Sequence, residues 1–166
     1  MMWVCRSGQQ GKCYNRFLEE EKIYLMWDGY RKNLHGMSSF SEFRELVIKE
    51  RNPEGRTTIS NWAGQLYSFA VEMQLGDYVL IPGPHSRVYT LARICGEYEF
   101  DAHADLTHSR KIEIVQREIP RESFKQSTQY SLGAFRTIFK VKQEIEVLQV
   151  AQDIGANRRN RGGEAS

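Results

Sequence analysis

Hydrophobic and polar positions change period several times along the 166-residue chain, and each change marks an element. Residues 3–6 (Trp-Val-Cys-Arg) read as a first strand, after which Gly8 and Gly11 turn the chain. A short helix follows over 15–21, with Asn15 as its N-cap. Residues 23–27 form an unbroken apolar run stopped by Asp28-Gly29, the mark of a buried strand and a turn. Ser39 and Glu42 have capping-box spacing, so a helix runs from there to about Glu50, ended by Asn52-Pro53-Glu54-Gly55.

Between 58 and 74, Ile59, Trp62, Ala63, Leu66, Phe69, Ala70 and Met73 recur at helical spacing and make the core face of a second helix. Asn61, Gln65, Ser68 and Glu72 fall opposite them. Strands over 78–81 and Val88–Ile94 pair as a hairpin about Pro82-Gly83-Pro84. Residues 109–119 alternate, with Ile112 and Ile114 on one face and Lys111 and Glu113 on the other, until Pro120. A last strand covers 137–142, and a helix covers 143–155 with Gly155 as its stop. Residues 156–166, basic and glycine-rich, are expected to stay disordered. The order predicts one α+β domain over residues 1–142: about six short strands in a bent, partly closed barrel, with helices packed on one side.

Composition changes this picture little. With 40% hydrophobic and 27% charged residues the chain can bury a core for one domain. No apolar run reaches the roughly 20 residues of a membrane span. The start (Met1-Met2-Trp3-Val4-Cys5-Arg6) has no basic or apolar leader, so a cytoplasmic protein without a membrane partner is expected. The net charge of +2 is unevenly placed: residues 109–142 hold eight basic and three acidic side chains. Such a segment suits either a local anion contact or ordinary solvated strand faces; on the first reading Arg117, Arg121 and Lys125 are phosphate contacts.

Catalytic signatures are absent from the sequence: no glycine-rich phosphate loop, no nucleophile elbow, no HExxH. Glu20-Glu21-Lys22 has no acidic partner ahead of Glu19, as a metal-dependent nuclease site requires. Cys5, Cys13 and Cys95 form no CxxC pair, and Cys95, His103 and His108 match no zinc spacing. A binding domain without enzyme activity, metal or cofactor is the expectation. Its candidate residues are polar or aromatic groups at element ends. Trp27 closes a strand, and Tyr98 and Phe100 stand two apart on one face of an extended segment. Each ring either fills the core or offers a stacking surface to a planar base. The amides of Asn61 and Gln65 both donate and accept, as reading a base edge requires. His108 and Arg110 continue the Ile112–Ile114 stripe, either as a polar mouth or, for His108, as a core histidine bonded to a carbonyl.

These pieces, in order, resemble a family. Trp3-Val4-Cys5-Arg6, the 23–27 run with Gly29, Asn61–Phe69, Gly76-Asp77-Tyr78-Val79, Gly96-Glu97-Tyr98 and His108-Ser109-Arg110 look like the EVE/PUA-like N-terminal domain of Mrr-type modification-dependent restriction endonucleases. The resemblance implies a PUA-like barrel that flips a methylated or hydroxymethylated base of double-stranded DNA into an aromatic pocket. Trp27, Asn61, Gln65, Tyr98, Phe100, His108 and Arg110 would line it. The chain carries no nuclease core of that family, which implies either an excised sensor or a stand-alone protein whose nuclease effector is encoded separately. The alternatives are an RNA-binding PUA-like module or a protein-interaction domain.

Overall fold

A computed structural model describes residues 1–27 and 30–164; the turn expected at Asp28-Gly29 lies outside them. Seven strands are seen among the described residues: β1 Met2–Cys5, β2 Lys22–Tyr24, β3 Tyr78–Pro82, β4 Val88–Ile94, β5 Glu99–Phe100, β6 His108–Pro120 and β7 Ile138–Lys140. The helices are α1 Tyr14–Glu20, α2 Phe40–Arg51, α3 Arg56–Tyr67, α4 Gln126–Leu132 and α5 Glu144–Glu164. The capping box forms at Ser39 and Glu42 as expected. Helix α3 ends in a wide π turn, Ser68–Glu72, where a continuous helix was expected.

The sheet runs β2-β6-β4-β3-β1-β7, with β5 also on β6. Among the described residues only the β1–β3 pair is parallel. Long β6 bends it: its start pairs with β2 and β5, its remainder with β4. Two register shifts interrupt the β4–β6 ladder, and Glu118 takes a left-handed φ of 54°. Bulges of this kind kink a strand and increase its twist. The outcome is the expected α+β architecture, a curled, partly closed sheet flanked by helices.

Helices cover both faces of this sheet, not one. Along β1, Trp3 and Cys5 join one core with Phe17, Phe43, Leu66 and Phe69, while Met2 and Val4 join another with Leu132, Val147 and Ala151. Strand β3 divides the same way, Val79 and Ile81 against Leu80. An all-apolar strand such as Met2-Trp3-Val4-Cys5 is what two-sided burial requires. The second cover comes from α4, absent from the sequence expectation, and from α5. Helix α5 does not stop at Gly155 but continues through most of the segment expected to be disordered. There Arg158 donates to the carbonyls of Arg117 and Glu118, each at 2.6 Å.

Candidate functional site

A cavity of about 340 Å³ opens where four segments meet. Trp27 comes from the chain just after β2, Asn61, Trp62 and Gln65 from the middle of α3, and Phe135–Thr137 from the approach to β7. Both tryptophans are half-buried, with roots in the first core. Their rings meet edge to face, 5.8 Å apart at 67°, and so form a corner. Arg51, the last residue of α2, also lines the cavity and places its guanidinium 5.5 Å from the Trp27 ring centre. Phe135 is fully exposed, and Arg136 is exposed beside it.

Trp27, Asn61 and Gln65, three of the expected base contacts, are thus brought together. Gln65 is nevertheless not a free reader. Its side-chain oxygen accepts from the backbone N–H groups of Thr137 (3.1 Å) and Ile138 (3.3 Å), fixing β7 to α3. Glu72, at the end of the same polar stripe, pairs with Lys140 of β7 at 2.5 Å. Asn61 is half-buried and is the amide left for a ligand edge.

The other expected base contacts lie elsewhere. His108 is buried between the rings of Tyr30 and Tyr98, stacked at 5.6 Å and 5.8 Å, with Phe100 tilted at 5.3 Å. A continuous chain of bonds fixes it. Leu34 N–H donates to the Tyr98 hydroxyl (3.2 Å), that hydroxyl donates to His108 Nδ1 (2.6 Å), and Nε2–H donates to the Tyr30 carbonyl (3.0 Å). No base enters between rings already in contact, so Tyr98, Phe100 and His108 form a structural stack. Burial holds the His108 pKa below its ordinary value and pushes that of Tyr98 up to about 12.

Arg110 is likewise structural. It donates to the carbonyls of Gly96 (3.0 Å), Phe69 (3.4 Å) and Met73 (2.5 Å). The π turn leaves carbonyls without helical partners, and the buried guanidinium satisfies them. Tyr98 and Arg110 do border a second hollow of about 420 Å³, but its walls are residues 34–37 and 70–75, not the tryptophans. At this end of β6 the space around His108 is filled by rings, and the hollow that remains opens on the Tyr98–Arg110 side, away from the tryptophans. Arg117, Arg121 and Lys125 are exposed and line none of these cavities.

Trp62, Arg51, Phe135 and Arg136 were not expected at a site. Trp62 sits on the apolar stripe of α3, and helical period alone does not separate a core ring from one at the core's margin. Phe135 and Arg136 belong to no periodic segment. Among the described residues no three His, Cys, Asp or Glu side chains gather as metal ligands, and no helix is long and apolar enough to cross a membrane.

No curated protein matches the chain. A family model described as a domain of unknown function, DUF8426, matches residues 2–142, from the start of β1 to just before α5. That span is most of the chain, and the protein belongs to the DUF8426 family.

Proposed function

We propose that this domain recognises a modified base of double-stranded DNA, held in the corner between Trp27 and Trp62. It acts in the cytoplasm as the recognition part of a prokaryotic restriction or defence system and leaves cleavage to a separate nuclease. The carrying observation is the edge-to-face tryptophan pair lining an accessible cavity that also holds Asn61 and Arg51. A planar base lies on one ring while a methyl or hydroxymethyl group rests against the other. Asn61 supplies a donor and an acceptor at the base edge. Arg51 already stands over Trp27, so stacking falls to the remaining indole surface and to Trp62. The Tyr30 hydroxyl, on a ring 5.8 Å from Trp27, is buried with no hydrogen-bond partner among the described residues.

The magnitudes are compatible with selective rather than tight binding. Extruding a base costs a few kcal/mol. Stacking returns ~1–3 kcal/mol. Burying one methyl adds about 0.8 kcal/mol, roughly a fourfold preference. Exposed Arg117, Arg121 and Lys125 add a salt-dependent attraction common to every duplex.

The test is equilibrium binding, by fluorescence anisotropy, to matched duplexes carrying cytosine, 5-methylcytosine, 5-hydroxymethylcytosine or N6-methyladenine, with single-stranded RNA alongside. One modified duplex should bind at least fourfold tighter than its parent, and Trp62→Ala should erase that preference with its circular dichroism spectrum unchanged. Equal affinity for all duplexes, or stronger binding to RNA, would contradict the proposal.

A further inference from the structure

Beyond Phe135 the same lip borders another cavity, of about 460 Å³. Phe135, Arg136 and Thr137 line both hollows, so the two form one cleft divided by a single exposed ring. The far side is made by the loop after β1, with Gln9 and Gln10, and the loop after β3, with His85 and Ser86. Arg6 reaches in from the end of β1.

We propose that this second cavity receives the phosphate attached to the nucleotide whose base lies against Trp27 and Trp62. The inference rests on the base-recognition reading and names where its anion goes. Charge is the first support. Arg6 and Arg136 line the cavity, Arg51 and Arg136 line its neighbour, and among the described residues no Asp or Glu lines either. Among the described residues Arg6 and Arg136 meet no carboxylate partner. Two unneutralised guanidiniums on one lip favour an anion, and the guanidinium fork suits phosphate oxygens.

Preorganisation is the second support. Arg6 is pinned by the carbonyls of Arg136 (3.0 Å to Nε), Leu132 (3.1 Å) and Ala134 (2.7 Å to Nη2), which leaves Nη1 for a ligand. The same bonds hold the 132–136 segment, and with it the dividing ring. Across the cavity, Gln10, His85 and Ser86 all take left-handed backbone, with φ of 56°, 56° and 54°. Non-glycine residues adopt that conformation at a cost, so three together mark loops fixed by their surroundings. The loops lock where Gly11 meets Gly83: a Cβ on Gly11 would lie 2.8 Å from the Gly83 carbonyl carbon.

Titration of the ¹⁵N-labelled full chain with three small molecules tests this: inorganic phosphate, 5-methyldeoxycytidine and 5-methyldeoxycytidine 5′-monophosphate. Phosphate alone should shift the amides of Gln10, Gly11 and Ser86. The nucleotide should bind at least tenfold more tightly than the nucleoside. Arg136→Ala and His85→Asn should reduce that gain, His85→Asn with nucleoside affinity unchanged because His85 lines the second cavity alone, whereas Lys49→Ala, an exposed cation outside the cleft, should change nothing. Nucleotide and nucleoside of equal affinity, or phosphate that moves none of those amides, would overturn the proposal. Phosphate shifts at those amides, with a nucleoside that leaves the Trp27 and Trp62 indole signals unmoved, would keep an anion cavity and remove the base reading instead.

Discussion

His108 shows how a single side chain is fixed by its bonds. Its Nε2 must carry the hydrogen, because the Tyr30 carbonyl can only accept, and in the neutral ring Nδ1 is then the acceptor for the Tyr98 hydroxyl. The neutral ring satisfies both partners. Protonation puts a second hydrogen on Nδ1, forces the Tyr98 hydroxyl to turn, and charges a group that is 2% exposed. The folded pKa therefore lies below the ordinary 6.5, chiefly through desolvation. The sign follows: the unfolded chain binds the proton more readily, so the stabilisation is complete above about pH 6.5 and is lost as pH falls towards the lowered folded value. Urea unfolding at pH 7.5 and 5.5 should show wild type losing stability at the lower pH, and His108→Gln should flatten that dependence. An unchanged slope in the variant would place the sensitivity elsewhere. The alternation that put His108 on the face of Ile112 was legible in sequence. Its enclosure by Tyr30, far away along the chain, was not.

At the scale of elements, β7 is the hinge of the site. It is three residues long and lies at the sheet's edge, and Gln65 of α3 holds it through two backbone N–H groups. Gln65→Ala should cost about 1–3 kcal/mol, since both donors lose their acceptor. Amide exchange at Ile138 should quicken in step; protection equal to wild type would show β7 held by β1 alone. Helix α5 makes a second case. Val147 and Ala151 are buried against Met2, Val4 and Leu80, whereas beyond Gly155 the contacts are surface bonds from Arg158. A chain ending at Lys142 should therefore lose about 3–5 kcal/mol, and one ending at Gly155 less than about 1 kcal/mol. Denaturant midpoints of the two truncations check this, and equal losses would contradict it.

Local signals predicted these elements well, and long-range contacts set the exceptions. The Ser39–Glu42 capping box and the Val88–Ile94 strand fall where the sequence placed them, because each is specified within a few residues. Gly155 misled for a physical reason. The helix runs on through it beside β6, where a Cβ would meet only the movable Gln116 side-chain oxygen at 2.7 Å, and the packing of the helix overrides the local preference of glycine to end it. Helix α4 has no apolar period to announce it: Gln-Ser-Thr-Gln-Tyr-Ser-Leu buries only Thr128 and Leu132.

The whole molecule is a curled sheet between two cores, and its cleft forms where the helical cover of one face meets an edge strand. Of the rings singled out along the chain, Trp27 reaches that margin, while Tyr98 and Phe100 are drawn into the stack around His108. An aromatic residue's place in sequence does not say on which side of a core boundary it falls; the partner segment decides. Here Trp62 is that partner, and the pair carries the functional account.

Three tryptophans make this directly measurable. Trp3 is buried and donates its indole N–H to Asp77 at 3.2 Å, away from the cleft, so it is an internal reference. In protein labelled with 5-fluorotryptophan, a duplex with one modified base should shift the ¹⁹F signals of Trp27 and Trp62, leave Trp3 in place, and do so at lower concentration than the unmodified duplex. A modified duplex that binds while both cleft signals stay where they are would contradict the account.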